Sequence, residues 1–344
     1  MPSIPAASDP WFQQIPKIEL HLHLEGAIPY SALWQLVQKY KGDVQSYEEL
    51  TQRFQYRDFS HFIQTWIWKN QFLREYEDFT FFAEAVARDL SHQNISYVEA
   101  FFSPPDFERH GLEIQKLIEA VSIGFDQVPE IKIQLVIDLV RDYGAIRGMN
   151  TLNKLVEMKH PRVIGIGIGG SEHLFPPELF EEVYHQAHQL GWFTSAHAGE
   201  VAGASSIWGA IRKLRVHRIG HGTRAKEDPK LLNYLVENQV PLEMCPISNL
   251  RTGVTLNIAE HPIHDYFQRG ILVTVNTDDP KMFGNSLAGE FALLEKEQHF
   301  SRPEICKLIL NGIYSAWLSP EEKKLMQQQF EEHPLWLKPL SIKS

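Results

Sequence analysis

Eight short β-rich runs, each followed by a stretch with apolar residues at helical spacing, predict an α/β protein built as a (β/α)8 TIM barrel. Runs rich in Val, Ile and Phe recur along the whole chain, and Gly or Pro punctuates the helix-patterned segments between them. No low-complexity tract, Gly/Ser linker or shift of composition divides the sequence. Its 344 residues exceed the ~250 of a typical barrel, so a single domain over 1–344 has room for insertions.

The first strand is "IELHLHL" (18–24). Side chains two apart on a strand share a side, so His21 and His23 aim at a common point at its end. A helical insertion over 30–92 follows, rich in aromatics (Trp34, Phe54, Phe59, Phe62, Trp66, Trp68, Phe72). Helix faces packed on the barrel explain these rings best, and a roof over strand 1 is the alternative. Lys69 and Arg74 read as solvated surface residues. Strands 2, 3 and 4 fall at 95–103, 131–140 and 163–170, the last ending in Gly169 and Gly170. Strand 5 (193–200) ends "HAGE" and strand 6 (217–222) ends "GHG". Strand 7 spans 240–248, and strand 8 (271–279) ends in Asp278 and Asp279. Helices such as "PPELFEEVYHQAHQLG" and "DPKLLNYLVENQ" separate the strands, and C-terminal helices occupy 300–344.

A formal net charge of −10 argues against a nucleic-acid surface and suits a neutral or cationic small molecule. Two cysteines, Cys245 and Cys306, suggest no disulfide framework. The stretch "MPSIPAASDP" lacks the basic and apolar regions of a signal peptide. No apolar run approaches the ~20 residues of a membrane span, so a cytoplasmic protein is expected.

In such a barrel the active site lies at the C-terminal ends of the strands. Reading each strand to its end places His21, His23, His197, Glu200, His221, Asp278 and Asp279 on one rim. An apolar barrel would otherwise exclude these residues, and three imidazoles with a carboxylate suit Zn2+. Of the remaining histidines, His92, His110, His160, His185, His188, His299 and His333 lie in helix-like or loop segments, where nothing converges on them.

In order and spacing, "HLHLEGAI", "HAGE", "IGHG", "CPISN" and "NTDDP" resemble the adenosine deaminase family of the amidohydrolase superfamily, over about 17–310. The resemblance implies one zinc ion per chain, held by His21, His23, His197 and Asp278. It makes Glu200 the acid that protonates the purine ring at N1, and His221 the group that orients and deprotonates the attacking water. Asp279 then contacts N7 and Gly170 contacts N3. The acid must stay neutral to work, so Glu200 is expected to be buried with a raised pKa. Cys245 is not needed as a ligand and reads as a buried strand residue.

The same resemblance makes the reaction a hydrolytic deamination of a 6-aminopurine, with adenosine or a similar nucleoside as first choice. Glu25 departs from the Asp that nucleoside-acting members carry after "HxHL", where it meets a ribose hydroxyl. A Glu at this position is familiar from members acting on free adenine. Gly167, in "GIGIGG", stands where many adenosine deaminases have Asp. Adenine and 6-amino-6-deoxyfutalosine are therefore the alternative substrates. A catalytically silent purine-binding protein is disfavoured because the full residue set is kept. A two-metal amidohydrolase is disfavoured because strand 4 ends "IGIGGSE", without a bridging lysine.

Overall fold

The computed structural model describes residues 9–56 and 59–337, and the side chain of Phe59 lies outside the described residues. The reading of "MPSIPAASDP" falls mostly outside them too.

Eight parallel strands pair in sequence order: β1 (Lys17–His23), β2 (Ile95–Phe102), β3 (Lys132–Asp138), β4 (Val163–Gly167), β5 (Phe193–Ala198), β6 (Arg218–His221), β7 (Leu242–Met244) and β8 (Val273–Val275). Helices alternate with them, so the fold is the expected TIM barrel. Every residue of β1 is buried, as both faces of a barrel strand must be.

Local chemistry starts and stops the helices. Ser286 caps Leu287–Gln298 through the Gly289 N–H, and Ser301 with Glu304 forms a capping box on Arg302–Ser315. Pro246 opens a short helix, Pro246–Arg251, directly after β7. Residues 246–248 are thus helical rather than the end of strand 7. Proline has no N–H for the ladder and suits the first helical position.

The other strands also end earlier than the sequence suggests. Gly169 and Gly170 lie beyond β4, Glu200 beyond β5, and Asp278 and Asp279 beyond β8. These residues follow the C-terminal ends of their strands.

The seam between β8 and β1 is closed by the site-bearing segment itself. The Asp278 N–H donates to the His21 carbonyl (3.0 Å) and the His23 N–H to the Asp278 carbonyl (2.8 Å), bridging Leu22 to Asp278. Asn276 extends the seam by accepting the Leu20 and His21 N–H groups on Oδ1 (2.9 and 3.1 Å). Helix Arg302–Ser315 packs outside, against β8 and β1.

Between β1 and β2 lie helices Tyr30–Lys39, Tyr47–Arg53, Phe59–Asn70 and Tyr76–Ser91. Phe54 and Phe72 are buried in the core, and Trp34, Phe62, Trp66 and Trp68 pack against it. Phe62 stacks on Phe283, four residues past Asp279 (5.3 Å between centroids).

Candidate active site

His21 and His23 stand at the end of β1, with ring centroids 5.4 Å apart. The nitrogens of His21, His23 and His197 and a carboxylate oxygen of Asp278 all lie within 4.8 Å of one another. Nε2 of His23 and Nε2 of His197 approach to 3.1 Å, and Asp278 Oδ1 is 3.4 and 3.6 Å from Nε2 of His23 and His21.

The outer partners fix which ring nitrogens face inward. His21 Nδ1 donates to Glu243 Oε2 (2.9 Å), and His197 Nδ1 donates to the Ile168 carbonyl (3.1 Å). A neutral imidazole that donates from one nitrogen keeps a lone pair on the other, so His197, which burial pulls well below its ordinary range, turns its Nε2 lone pair inward. His21 does so once a cation displaces its second proton, because burial is outweighed by the Asp278 and Glu243 carboxylates, which push it up to about 10. His21 Nε2 is buried with no protein partner. Converging lone pairs beside a carboxylate repel one another unless a cation lies between them, so the donor set fits a metal, and this mixture of N and O donors suits zinc. Cys245 also lies near His21 and Asp278, but its buried thiol donates to the Glu243 carbonyl (3.6 Å), and burial pushes it well above its ordinary range. Protonated thiols are poor ligands.

Glu200 and His221 face each other beside this cluster, with Glu200 Oε2 3.5 Å from His221 Nε2. Burial, with the Asp278 and Glu172 carboxylates nearby, pushes Glu200 up to about 8. Burial pulls His221 down to about 4, so its ring is neutral. A chain of hydrogen bonds sets its tautomer. The Ile263 N–H donates to His261 Nδ1 (3.3 Å), His261 Nε2 donates to Asn249 Oδ1 (3.1 Å), and Asn249 Nδ2 donates to His221 Nδ1 (3.2 Å). The backbone N–H can only donate, so the sequence of donors is fixed and His221 Nε2 carries the hydrogen.

Glu25 sits two residues past His23, fully buried, its Oε1 accepting the Ser103 N–H (2.9 Å). Burial pushes it up to about 7. Gly26 packs so closely on Asp279 that a Cβ there would collide with the carboxylate. Glu25 Oε2 and Asp279 Oδ1 are both buried without a protein partner. Gly170 is exposed on the rim, with a positive φ of 105°.

Lys69 corrects its expected surface placement: it is 2% exposed. Its Nζ donates to the Glu25 carbonyl (2.6 Å) and Asn70 Oδ1 (2.8 Å) and lies 4.1 Å from the Trp66 ring centre. Burial pulls the ammonium down to about 8 while Glu25 and Asp279 act in the opposite sense. Partners 44 residues away cannot be read from a helix pattern. Arg74 is exposed, as expected.

Glu172, Glu243 and His261 are among the residues that went unnoticed in the sequence. Glu243 had a signal, since a charged residue inside the run "VPLEMC" must be paired if the run is buried.

The adenosine deaminase family profile matches residues 16–333. The chain belongs to the adenosine deaminase family. It is 31% identical over 315 residues to the adenine deaminase of Wolinella succinogenes, covering 90% of this chain and 95% of that one. It is 33% identical over 324 residues to the adenosine deaminase of Edwardsiella ictaluri, covering 91% and 97%. Among solved structures, the adenine deaminase of Arthrobacter aurescens superposes with a TM-score of 0.86 at 29% identity, covering 92% of this chain and 98% of that one.

Proposed function

We propose that this member of the family hydrolytically deaminates a 6-aminopurine to the 6-oxopurine and ammonia, and that free adenine is its preferred substrate. The observation that carries the reaction is the Glu200 carboxyl, raised to about 8 and 3.5 Å from a neutral His221, beside the four-donor cluster.

His21, His23, His197 and Asp278 would hold one zinc ion. When bound, such a cation supplies a water whose pKa is lowered to ~7. Glu200, protonated at neutral pH, gives its proton to ring N1 and makes C6 electrophilic; its carboxylate then takes the attacking oxygen's proton, passes it to the amino group so that ammonia leaves, and regains the last proton as the 6-oxo group forms. His221 Nε2–H donates a hydrogen bond to the attacking oxygen and orients it. The deprotonation expected of this ring would require the Asn249 amide to exchange its partners. Asp279 and Gly170 hold the ring edge.

Support for the free base comes from Glu25. Its side chain is enclosed and held by the Ser103 N–H, at the position where the family resemblance implies a shorter Asp beside a ribose. The Edwardsiella relative, at 33% identity, favours adenosine as the second reading. An ammonia-release assay on zinc-loaded protein, with adenine, adenosine and aminodeoxyfutalosine in parallel and Glu200→Gln as control, separates them. Turnover of adenine alone supports the proposal. Turnover of a nucleoside without adenine overturns the substrate, and no turnover of any of the three overturns the reaction.

A further inference from the structure

We propose that Glu172 is a positioning residue for the proton-donating step, fixing the loop that carries Glu200. This rests on the role given to Glu200 above. Glu172 lies five residues past the end of β4 and is buried. Its carboxylate is met by four consecutive backbone N–H groups. Oε1 accepts from Gly199 (2.5 Å), and Oε2 accepts from Glu200 (3.2 Å), Val201 (2.8 Å) and Ala202 (2.9 Å). Successive N–H groups turned to one point form a concave nest for an anion, and here the protein's own side chain fills it. Bonds to an ionised acceptor are roughly twice as strong as neutral ones.

Two features make the arrangement rigid. Gly199 has a positive φ of 71°, and a Cβ there would collide with Ile207, so the turn admits glycine. Below it, buried Arg141 donates to the His197 carbonyl (2.6 Å) and the Phe175 carbonyl (2.8 Å), tying the end of β5 to the loop after β4. None of the Glu172 hydrogen bonds goes to His21, His23, His197 or Asp278. Glu172 bonds the Glu200 main chain and thereby sets where the Glu200 carboxyl points. Its negative charge also adds to the effects that keep that carboxyl protonated.

The test is Glu172→Gln in the full-length, zinc-loaded protein. Glutamine keeps the size but offers one acceptor oxygen and turns an NH2 group toward a backbone N–H. Misplacing a reacting group by about 1 Å costs on the order of 100-fold, so kcat is expected to fall about 10- to 100-fold. KM for the purine and zinc bound per chain should stay unchanged. In a Glu200→Gln background the same change should add nothing, because the two act as one unit. An equal kcat for Glu172→Gln and wild type overturns the proposal, as does a loss that multiplies with that of Glu200→Gln or a matching loss of bound zinc. Should Glu172→Gln fail to fold, Glu172→Asp keeps the charge and is read by the same split between kcat and KM. If Glu200→Gln alone leaves kcat intact, the role of Glu200 fails instead, and the two failures are told apart.

Discussion

Replacing Arg218 by Met tests how the metal-ligand cluster is braced from below. Arg218 opens β6 and is fully buried. Its Nη1 pairs with Glu99 Oε2 (2.6 Å) and its Nε with Glu243 Oε1 (2.5 Å), while the guanidinium lies 3.6 Å from the Trp317 ring centre. Both carboxylates are fully buried too. Removing the cation leaves two carboxylates uncompensated in the core. Breaking a buried pair from one side costs about 3–5 kcal/mol, and the lost ring contact adds to this. A loss of about 4 kcal/mol, with a urea slope of about 3 kcal/mol/M, lowers the unfolding midpoint by about 1.3 M. Urea denaturation at pH 7 with zinc in excess reads this directly. Glu243 also holds His21, so zinc affinity should fall with stability, by about 10-fold or more. Arg218→Lys keeps the charge but not the planar fork and should lie between the two. A midpoint shift under about 0.3 M for Arg218→Met would refute the reasoning, because the carboxylates would then be neutralised by some other route.

The remaining predictions concern the rim. Glu200 must be protonated to act and is raised to about 8, so kcat/KM should be level through neutral pH and fall as pH rises past about 8; a profile already falling between 4 and 5 contradicts this. Glu25→Asp shortens the wall and should shift the adenosine-to-adenine ratio of kcat/KM toward adenosine by about 10-fold or more, the scale of lost or gained fit in a pocket. Asn249→Asp reverses the donor sequence and should move the hydrogen of His221 from Nε2 to Nδ1, visible in imidazole 15N shifts, with kcat lowered at least tenfold; an unchanged tautomer refutes the relay. Stripping the cation with a chelator should lower thermal stability, and zinc at about 1,000 times its Kd should restore about 4 kcal/mol.

The strands were legible because runs such as "IKIQLVIDLV" have no polar face for a surface helix, and β3 was observed at Lys132–Asp138 within 131–140. The positions of His21, His23, His197 and Asp278 were legible as well, since each interrupts or follows an apolar run at one end of a strand. The strand ends were less so. Thr277, for example, bonds sideways to Glu19 Oε1 (2.7 Å from its N–H) instead of continuing the ladder, and that pairing spans 258 residues. Lys69 shows the same limit, because a buried lysine and a solvated one give the same letter on an amphipathic helix. Glu172 and His261 act through backbone N–H groups and an amide, and such partnerships leave no periodic trace in sequence.

The seam between β8 and β1 constrains the order in which the protein is made. Two of the proposed zinc ligands, His21 and His23, leave the ribosome well before Asp278, which follows His23 by 255 residues. The backbone bonds joining His21 and His23 to Asp278 cannot form earlier either. Completion of the proposed metal site therefore waits for the segment after β8. A nascent chain stalled before β8 would carry paired histidines without the carboxylate that completes their site, so zinc held firmly by this protein would also report that the barrel has closed.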